Sequence, residues 1–239
     1  VSSGGFSLGD YSGLQFWFKN KTGVSGTANG ETLTWLDQSG NNNHALQPTD
    51  SKKPTYSSSD GSFDYEGSGN SGLALYFDLT SEISFGAFTA FFVMDMNING
   101  SAEYYGLMQS SDGIDYIQIY GDTSALYYYV HNGTSNSGSN IGADAGDANN
   151  PTNGTKFVLS VRKSAASNAT VQFRNNNDLI LSNTLMTDGS TVDIDILGYN
   201  INGARSHDGK FYEVAMYNTS LSDSEVTAVV NDLKSRNGI

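Results

Sequence analysis

Short apolar and aromatic runs, each ended by glycine, asparagine or serine, recur along this chain and constrain its fold more than any other feature. Runs of this length between turn residues are typical of β-strands. The composition agrees, because 14 Tyr and 12 Phe suit half-buried strands and 27 Gly supply turns. We therefore predict an all-β sandwich that forms a single domain over residues 1–239.

The predicted strands follow one another at the spacing expected of a sandwich, with a long polar loop at 38–56. They are residues 14–18, 32–36, 73–79, 88–96, 104–109, 115–120, 126–130, 156–162, 170–175, 178–182, 191–198 and 210–217.

One helix is predicted, at the C-terminus. Ser222 and Glu225 have the spacing of a capping box, and Gly238 suits the end of the helix. The apolar residues between them repeat at helical spacing, so they line one face; they are Val226, Val229, Val230 and Leu233. We expect a short helix that packs on the sandwich.

Charge and cysteine content exclude several classes of function. The chain has 12 Lys and Arg against 25 Asp and Glu, a formal charge of -13, which repels nucleic acids and anionic lipids. With no cysteine it can form no disulfide, thiolate zinc site or cysteine nucleophile. No apolar run reaches the roughly 18 residues that span a bilayer, so we expect no membrane insertion.

Only 15% of the residues are charged, and most of the polar residues are Asn, Ser, Thr and Gly. This composition is typical of secreted, cell-surface or virion proteins. The chain begins at Val1 and shows no leader segment. We therefore expect a mature product or part of a larger protein that works outside the cytoplasm.

Both ends of the chain carry recognisable motifs. The first part contains LQFWFKNKTGV, LTWLDQSGNNNHALQ, KKPTY and GAFTAFFVMDM, and the tail contains GKFYEVAMYNTSLSDSEV. Together they resemble the concanavalin A-like lectin/glucanase superfamily, in its laminin G-like bacterial and viral branch. The residues that carry the resemblance are Trp17, Trp35, Asp37, Ser39, Gly40, Pro54, Glu213, Leu221 and Ser222.

This resemblance implies a two-sheet antiparallel jelly roll. Members of the superfamily include lectins, glycosidases, adhesion modules and structural domains, so the fold alone does not decide function. The residues also have structural interpretations of their own. Trp17 and Trp35 are expected in the core, Asp37 is expected to cap a turn, with cation binding as the second interpretation, and Glu213 is expected to be a hydrogen-bonded structural group.

Catalysis is not favoured by the candidate residues. Glucanases of the superfamily use a Glu-x-Asp-x-x-Glu strand, whereas the matching frame here gives Asp193, Asp195 and Gly198, without the last acid. Strand alternation places the two aspartates opposite Val192, Ile194 and Ile196. Residues 206–208, Ser-His-Asp, are consecutive and are interpreted as a polar loop, and the three histidines lack the spacing of a zinc site.

The hairpin sequence DYIQIYGDTSALYYYVH is the best candidate for ligand binding. With a four-residue loop over 122–125, aliphatic residues share one face and polar aromatic residues share the other. The predicted ligand-binding residues are Tyr116, Gln118, Tyr120, Tyr127, Tyr129 and His131. Such a face suits sugars, and the alternative is a tyrosine-rich outer face without a ligand.

A long Gly-, Asn- and Ser-rich stretch follows the hairpin. Asp144, Asp147 and Asn149 offer oxygen ligands of the kind that calcium takes, and the alternative is an acidic loop without a metal. No other cofactor is predicted.

We predict a non-catalytic carbohydrate-binding or adhesion module that contacts a glycan or cell-surface polysaccharide. The alternatives are a structural virion decoration or fibre domain, which contacts other virion or surface-protein subunits, and a glycoside hydrolase.

Overall fold

The computed structural model describes residues 7–65, 74–98, 103–122, 124–133, 141–144, 149–186, 191–200 and 205–239. These residues form nineteen strands, two single-turn 3-10 helices (Leu8–Asp10 and Asp50–Lys52) and one α-helix, α1 (Asp223–Asn237). The strands are β1 (Leu14–Phe18), β2 (Val24–Ser25), β3 (Leu33–Trp35), β4 (Ala45–Gln47), β5 (Thr55–Ser57), β6 (Ser62–Asp64), β7 (Phe77–Phe85), β8 (Phe88–Met94), β9 (Glu103–Gln109), β10 (Tyr116–Gly121), β11 (Ala125–His131), β12 (Ile141–Asp144), β13 (Phe157–Lys163), β14 (Ala169–Asn175), β15 (Asp178–Met186), β16 (Val192–Leu197), β17 (Tyr199–Asn200), β18 (Arg205–Ser206) and β19 (Lys210–Tyr217).

The strands form two large antiparallel sheets. The first sheet has the order β15-β14-β13-β8-β19-β6-β5, and β1 pairs with the second half of β19. The second sheet has the order β12-β11-β10-β9-β16-β7-β4-β3-β2, and β17 pairs with β18 separately. The predicted all-β, two-sheet antiparallel jelly-roll sandwich with a C-terminal helix is confirmed.

The two sheets enclose an aromatic core in which Trp35 is central. Its side chain is fully buried, and its ring lies 4.6 Å from the ring of Phe63 and 5.4 Å from that of Phe18, between centroids. The indole Nε1–H donates to the carbonyl of Lys19 at 3.1 Å, so burial leaves no orphan donor. The predicted core position of Trp35 is confirmed.

Helix α1 covers the outer face of the first sheet. Its buried residues are the predicted stripe, Val226, Val229, Val230 and Leu233. They join a second apolar cluster with outward-facing residues of the sheet, such as Phe91 and Ala215. The capping box of Ser222 and Glu225 is present, and Gly238 ends the helix at φ 69°.

Trp17 lies under this helix and not in the core between the sheets. It is partly buried, and its Nε1–H donates to Glu213 Oε1 at 2.6 Å. Glu213 is almost fully buried and also accepts from Asn237 Nδ2 at 2.8 Å and pairs with Arg236 at 2.9 Å. The structural interpretation of Glu213 is thus confirmed. Trp17 packs against the second apolar cluster, as a packing residue whose indole N–H has a partner, but it lies outside the core between the sheets because outward residues of β1 face α1.

The predicted polar loop at 38–56 contains two strands, β4 and β5, which the sequence analysis missed. The turn that precedes β4 is built on Asp37, which accepts hydrogen bonds from the amides of Trp17 and Ser39, both at 2.8 Å. Its second oxygen accepts from the hydroxyl of Ser39 and the amide of Asn43. Asp37 therefore acts as the predicted turn cap, and β4 starts two residues after Asn43.

Residues Ser206 to Asp208 are buried, so their interpretation as a polar loop was wrong. Ser206 Oγ accepts from the amide of Leu75 at 2.6 Å, and His207 Nε2 donates to the carbonyl of Asp95 at 2.9 Å. Burial lowers the pKa of His207 to about 4, so the ring is neutral at physiological pH. Each side chain bonds to a different partner, and this arrangement builds no catalytic relay.

Asp208 shares a buried site with another acid, Glu103, at the start of β9. Both side chains are about 5% exposed, and Asn97 Nδ2 donates to Asp208 Oδ1 at 3.0 Å. Burial, followed by the hydrogen bond with Glu103, raises the pKa of Asp208 to about 7. The pair therefore holds a proton under conditions in which exposed aspartate has lost it.

Replacement of Trp35 by alanine should lower the free energy of unfolding by about 3–5 kcal/mol, because it leaves a cavity in the core. Urea unfolding followed by circular dichroism measures this loss. Replacement of the neighbouring Leu36, which is 39% exposed, by alanine is the control and should cost far less. A Trp35→Ala variant with the wild-type unfolding midpoint would contradict the core assignment.

The proton on Asp208 should make stability depend on pH. Because the folded pKa is raised, the folded chain binds a proton that the unfolded chain releases, so stability falls as pH rises from about 4 to about 7, by at most about 1.4 kcal/mol per pH unit. We expect Asp208→Asn to flatten this slope in urea unfolding between pH 4 and 8. Glu31→Gln, at an exposed position, should keep it. An unchanged slope in Asp208→Asn would show that the proton is not held there.

Candidate functional site

The outer face of the second sheet presents the hairpin that the sequence singled out. Strand β10 pairs with β11 in the predicted register, with Tyr116 opposite His131, Gln118 opposite Tyr129 and Tyr120 opposite Tyr127. The residues between them, Ile117, Ile119, Leu126, Tyr128 and Val130, are buried in the core. Since side chains alternate along a strand, the polar aromatic set points away from the core.

The hairpin turn fixes this register. The carboxylate of Asp122 accepts from the amide of Ser124 at 2.6 Å and from that of Ala125 at 3.3 Å. Gly121 has φ 150°, and a Cβ there would lie 2.0 Å from the carbonyl oxygen of Ala125. Only glycine therefore fits at this position, and the turn holds the two strands so that their tyrosines meet.

Strand β9 adds a tyrosine that the sequence analysis missed. Tyr104 pairs with Tyr120, and their ring centroids lie 4.5 Å apart. The short SSDGI turn between β9 and β10 predicts a second hairpin, but regular alternation from it would place Tyr105 opposite Tyr120. A register shift in β9 brings Tyr104 to that position instead, and no sequence pattern signals this shift. We call the combined surface the tyrosine face; it comprises Tyr104, Tyr116, Gln118, Tyr120, Tyr127, Tyr129 and His131.

The rings of the tyrosine face are packed against one another while part of each stays accessible. Tyr116 stacks on His131 at 4.7 Å with an interplanar angle of 4°, and Tyr120 lies 6.2 Å from Tyr127. His131 Nδ1 lies 2.7 Å from the carbonyl oxygen of Ile114, which fixes the ring. All five tyrosines and His131 are partly buried, so the face is ordered before any ligand arrives.

The hydroxyl groups of the tyrosine face lie close together. Burial, and then the neighbouring hydroxyls of Tyr104, Tyr116, Tyr120 and Tyr127, raise the pKa of Tyr129 to about 12. Burial also raises the pKa of Tyr116. The hydroxyls of Tyr116 and Tyr129 therefore stay protonated at physiological pH and can both donate and accept hydrogen bonds.

Asp115 joins the tyrosine face to the middle of the sheet. Its carboxylate accepts from the amide of Gly133 at 2.6 Å and from the amide of Asp193, in β16, at 2.7 Å. The side chain is 8% exposed, and burial raises its pKa in spite of these two bonds. Asp115 is therefore a structural anchor for both ends of the hairpin.

The candidate catalytic strand, β16, is interrupted by a bulge. Asp193 pairs with Ser84, and the register shifts before Ile196, which pairs with Asp78. The prediction that Ile196 lies with Val192 and Ile194 was therefore wrong, because the bulge at Asp195 turns Ile196 to the outer face. Asp193 and Asp195 remain partly exposed on that side.

The position of the missing acid cannot hold a side chain. Gly198 has φ 88°, and a Cβ there would lie 2.1 Å from the ring of Tyr65, which is fully buried. Its amide donates to the carbonyl of Leu107 at 2.9 Å, which fixes the backbone. An acid at position 198 would require a buried aromatic ring to move.

The predicted calcium ligands are not brought together in the part of the chain that the structure describes. Asp147 and the side chain of Asp144 lie outside it. Asn149 Nδ2 donates to the carbonyl of Leu179 at 3.1 Å, which ties it to β15. Among the described residues no group of three or more His, Asp or Glu side chains is arranged to hold a metal ion. Calcium binding at these residues stays a prediction.

A shallow pocket of about 220 Å³ lies between β3 and β5, away from the tyrosine face. Its charged groups already bond to the protein. Lys53 Nζ donates to the carbonyls of Ala28 (3.1 Å) and Glu31 (2.5 Å) and to Asp50, and Asp50 accepts from the amide of Gly30 at 2.9 Å. The charged groups of this pocket are therefore engaged within the protein.

No helix in the described ranges is long and apolar enough to cross a membrane. The sequence matches no protein-family model and no curated protein.

Solved structures nevertheless share the fold. They include the ligand-binding domain of botulinum neurotoxin serotype D in complex with N-acetylneuraminic acid, with a TM-score of 0.57 and 12% identity over 92% of this chain and 51% of that one. A structure of botulinum neurotoxin type C, whose cell entry depends on interaction with two ganglioside molecules, has a TM-score of 0.59 and 13% identity over 95% of this chain and 52% of that one. The sialidase of Trypanosoma rangeli has a TM-score of 0.59 and 12% identity over 95% of this chain and 33% of that one.

The chain thus spans about half the length of these toxin chains and a third of the sialidase chain. At this level of identity the similarity shows the fold, a β-sandwich, that this chain shares with ligand-binding domains of toxins and with part of a sialidase.

Proposed function

We propose that this chain is a non-catalytic carbohydrate-binding module and that glycans bind on the tyrosine face. The observation that carries the proposal is the grouping of five partly buried tyrosines with Gln118 and His131 on the outer face of the second sheet. The outer face of the first sheet, in contrast, is covered by α1. An ordered aromatic surface that needs no internal packing partner is typical of a binding surface.

The chemistry of sugars matches this surface. Sugar hydroxyls exchange one set of hydrogen bonds with water for another with protein, so they add little net affinity. The apolar C–H face of a sugar gains more, because it stacks on an aromatic ring and displaces water. The tilted rings of Tyr104, Tyr120 and Tyr127 offer this contact, while the hydroxyls beside them bond to the sugar rim.

The structural neighbours support the same class of ligand. The botulinum neurotoxin ligand-binding domain that is solved with N-acetylneuraminic acid contains a sandwich of this fold over about half of its chain, and gangliosides take part in the cell entry of another such toxin. Together with the motifs around Asp37 and Glu213, this favours a concanavalin A-like lectin domain over residues 1–239. It also favours a secreted or surface location, with adhesion as the role.

A hydrolytic function is less well supported. Retaining and inverting glycosidases need two carboxyl groups about 5 to 9.5 Å apart on either side of one bond. The strand with Asp193 and Asp195 lacks a third acid at Gly198, where the ring of Tyr65 leaves no room for one. Binding without cleavage therefore fits the residues better.

The tyrosine face can be tested by removing two rings from the edge of the hairpin. We expect Tyr127→Ala/Tyr129→Ala to weaken glycan binding about tenfold to a hundredfold, since each ring contributes about 0.5–1.5 kcal/mol beyond its buried area. A glycan-array screen followed by calorimetry on the best neutral ligand measures the loss, and circular dichroism checks the fold.

Two controls accompany that experiment. Tyr127→Phe/Tyr129→Phe keeps the rings and should retain most of the affinity, and Asp144→Asn/Asp147→Asn should have little effect. Binding that survives the alanine pair but vanishes in the asparagine pair or on chelation would place the site in a calcium-dependent loop.

The non-catalytic assignment predicts that no polysaccharide is cleaved. Incubation with β-glucans should release no reducing ends above the background of a heat-denatured sample. Release by the wild type that disappears in Asp195→Asn would show that the chain is a glycosidase.

A further inference from the structure

We propose that the tyrosine face selects uncharged glycans and rejects sialylated and other anionic ones. This inference rests on the proposed function and names the ligand class of the same site. It concerns the strands beside the aromatic rings, which determine the charge that an extended glycan meets.

The strands that build this part of the sheet contain no positive side chain. None of the 12 Lys and Arg falls in β7, β9, β10, β11 or β16, whereas Asp and Glu occur in three of them. Proteins recognise a carboxylate with arginine, lysine or a row of free amides, and arginine pairs with it through two parallel hydrogen bonds. Amides inside an antiparallel sheet are already bonded to neighbouring strands. These five strands therefore present no ammonium or guanidinium group to pair with the carboxylate of an anionic sugar.

The acidic side chains continue the tyrosine face along the sheet. The register forms one row across five strands, from His131 through Tyr116, Gln109 and Ile196 to Asp78. Strands lie about 4.8 Å apart, so Tyr116 and Asp78 are separated by about 14 Å, the length of a short oligosaccharide. Gln109 and Ile196, in the middle of this row, are buried, whereas Asp78 is exposed at its end. The carboxylate of Asp78 therefore acts on a ligand at the rings through its field.

Further carboxylates lie beside this row and act on one another. Glu82 is exposed on β7, and Asp193 and Asp195 are partly exposed on β16. Desolvation raises the pKa of Glu82, and the charges of Asp193, Asp195, Asp112 and Asp115 raise it further. These groups are thus close enough for their fields to add.

Two lysines act on the acidic groups, but neither is placed to bind a ligand on the tyrosine face. Lys52 partly offsets the charge of Asp78, and its Nζ donates to the hydroxyl of Tyr76 at 2.9 Å at the far end of the row. Lys163 lies within electrostatic range of Asp115, but it is fully buried and donates to the carbonyl of Gly86 at 2.6 Å. The charges of the described residues around the face therefore add up to a negative field.

The expected size of the effect follows from Coulomb's law. Several carboxylates about 10 Å from a ligand charge weaken its binding by about tenfold at low ionic strength, and by much less at 0.5 M salt. A neutral glycan should show neither effect. The toxin domain that is solved with N-acetylneuraminic acid is 12% identical to this chain, which shows a shared fold only. The carboxylates beside the tyrosine face favour neutral sugars instead.

The experiment uses immobilised oligosaccharides in matched pairs, each neutral chain beside its sialylated form, at 20 mM and 500 mM NaCl. We expect the wild type to retain neutral members about tenfold more strongly than their sialylated partners at low salt, with the ratio falling at high salt. In Glu82→Gln/Asp193→Asn/Asp195→Asn the ratio should fall to about twofold at low salt, while binding of the neutral members stays within twofold of wild type.

Glu82→Gln alone, at an exposed position, provides a variant that leaves the bulge in β16 intact and should shift the ratio in the same direction. Equal or stronger retention of the sialylated members by the wild type at low salt would overturn the charge selectivity and leave the proposed function standing. Retention of no glycan of either kind would overturn the proposed function itself.

Discussion

The packing of α1 on one side of the sandwich is the constraint on which the rest of the account depends. Four apolar residues of the helix, Val226, Val229, Val230 and Leu233, bury the outer face of the first sheet, and the buried carboxylate of Glu213 links β19 to the end of the helix. The part of the first sheet beneath α1 is therefore apolar on both faces. In the second sheet, the outer tyrosines of β10 and β11 stay partly accessible, so this part of the sheet can carry polar aromatic residues without losing stability.

That open face is divided between two kinds of side chain. Tyrosines of β9, β10 and β11 cluster at one end, and carboxylates of β7 and β16 follow at the other. Asp115 connects the two parts by bonding the base of the hairpin to the backbone of Asp193. The same sheet thus supplies stacking surface for a sugar ring and a negative field beside it, which together favour a neutral glycan.

The sequence predicted those parts of the structure that a local residue pattern determines. The alternation in β10 and β11 identified six residues of the tyrosine face, and the capping box at Ser222 located α1. What it missed depends on irregular pairing or on distant contacts. Tyr104 joins the face through a register shift in β9, and Ile196 turns outward at a bulge. Asp208 is buried against Glu103, more than a hundred residues earlier. Short strands such as β4 lack a pattern long enough to detect, because their partners hold them in place.

The most direct test of the account is a solution NMR titration of tyrosine-labelled protein with a neutral oligosaccharide retained on the array. We expect the ring signals of the five tyrosines of the tyrosine face to shift together with a single dissociation constant; they are Tyr104, Tyr116, Tyr120, Tyr127 and Tyr129. Two other tyrosines should keep their signals: Tyr56, beside the pocket between β3 and β5, and Tyr217, under α1. Shifts confined to Tyr56, or binding that leaves all five rings unperturbed, would contradict it.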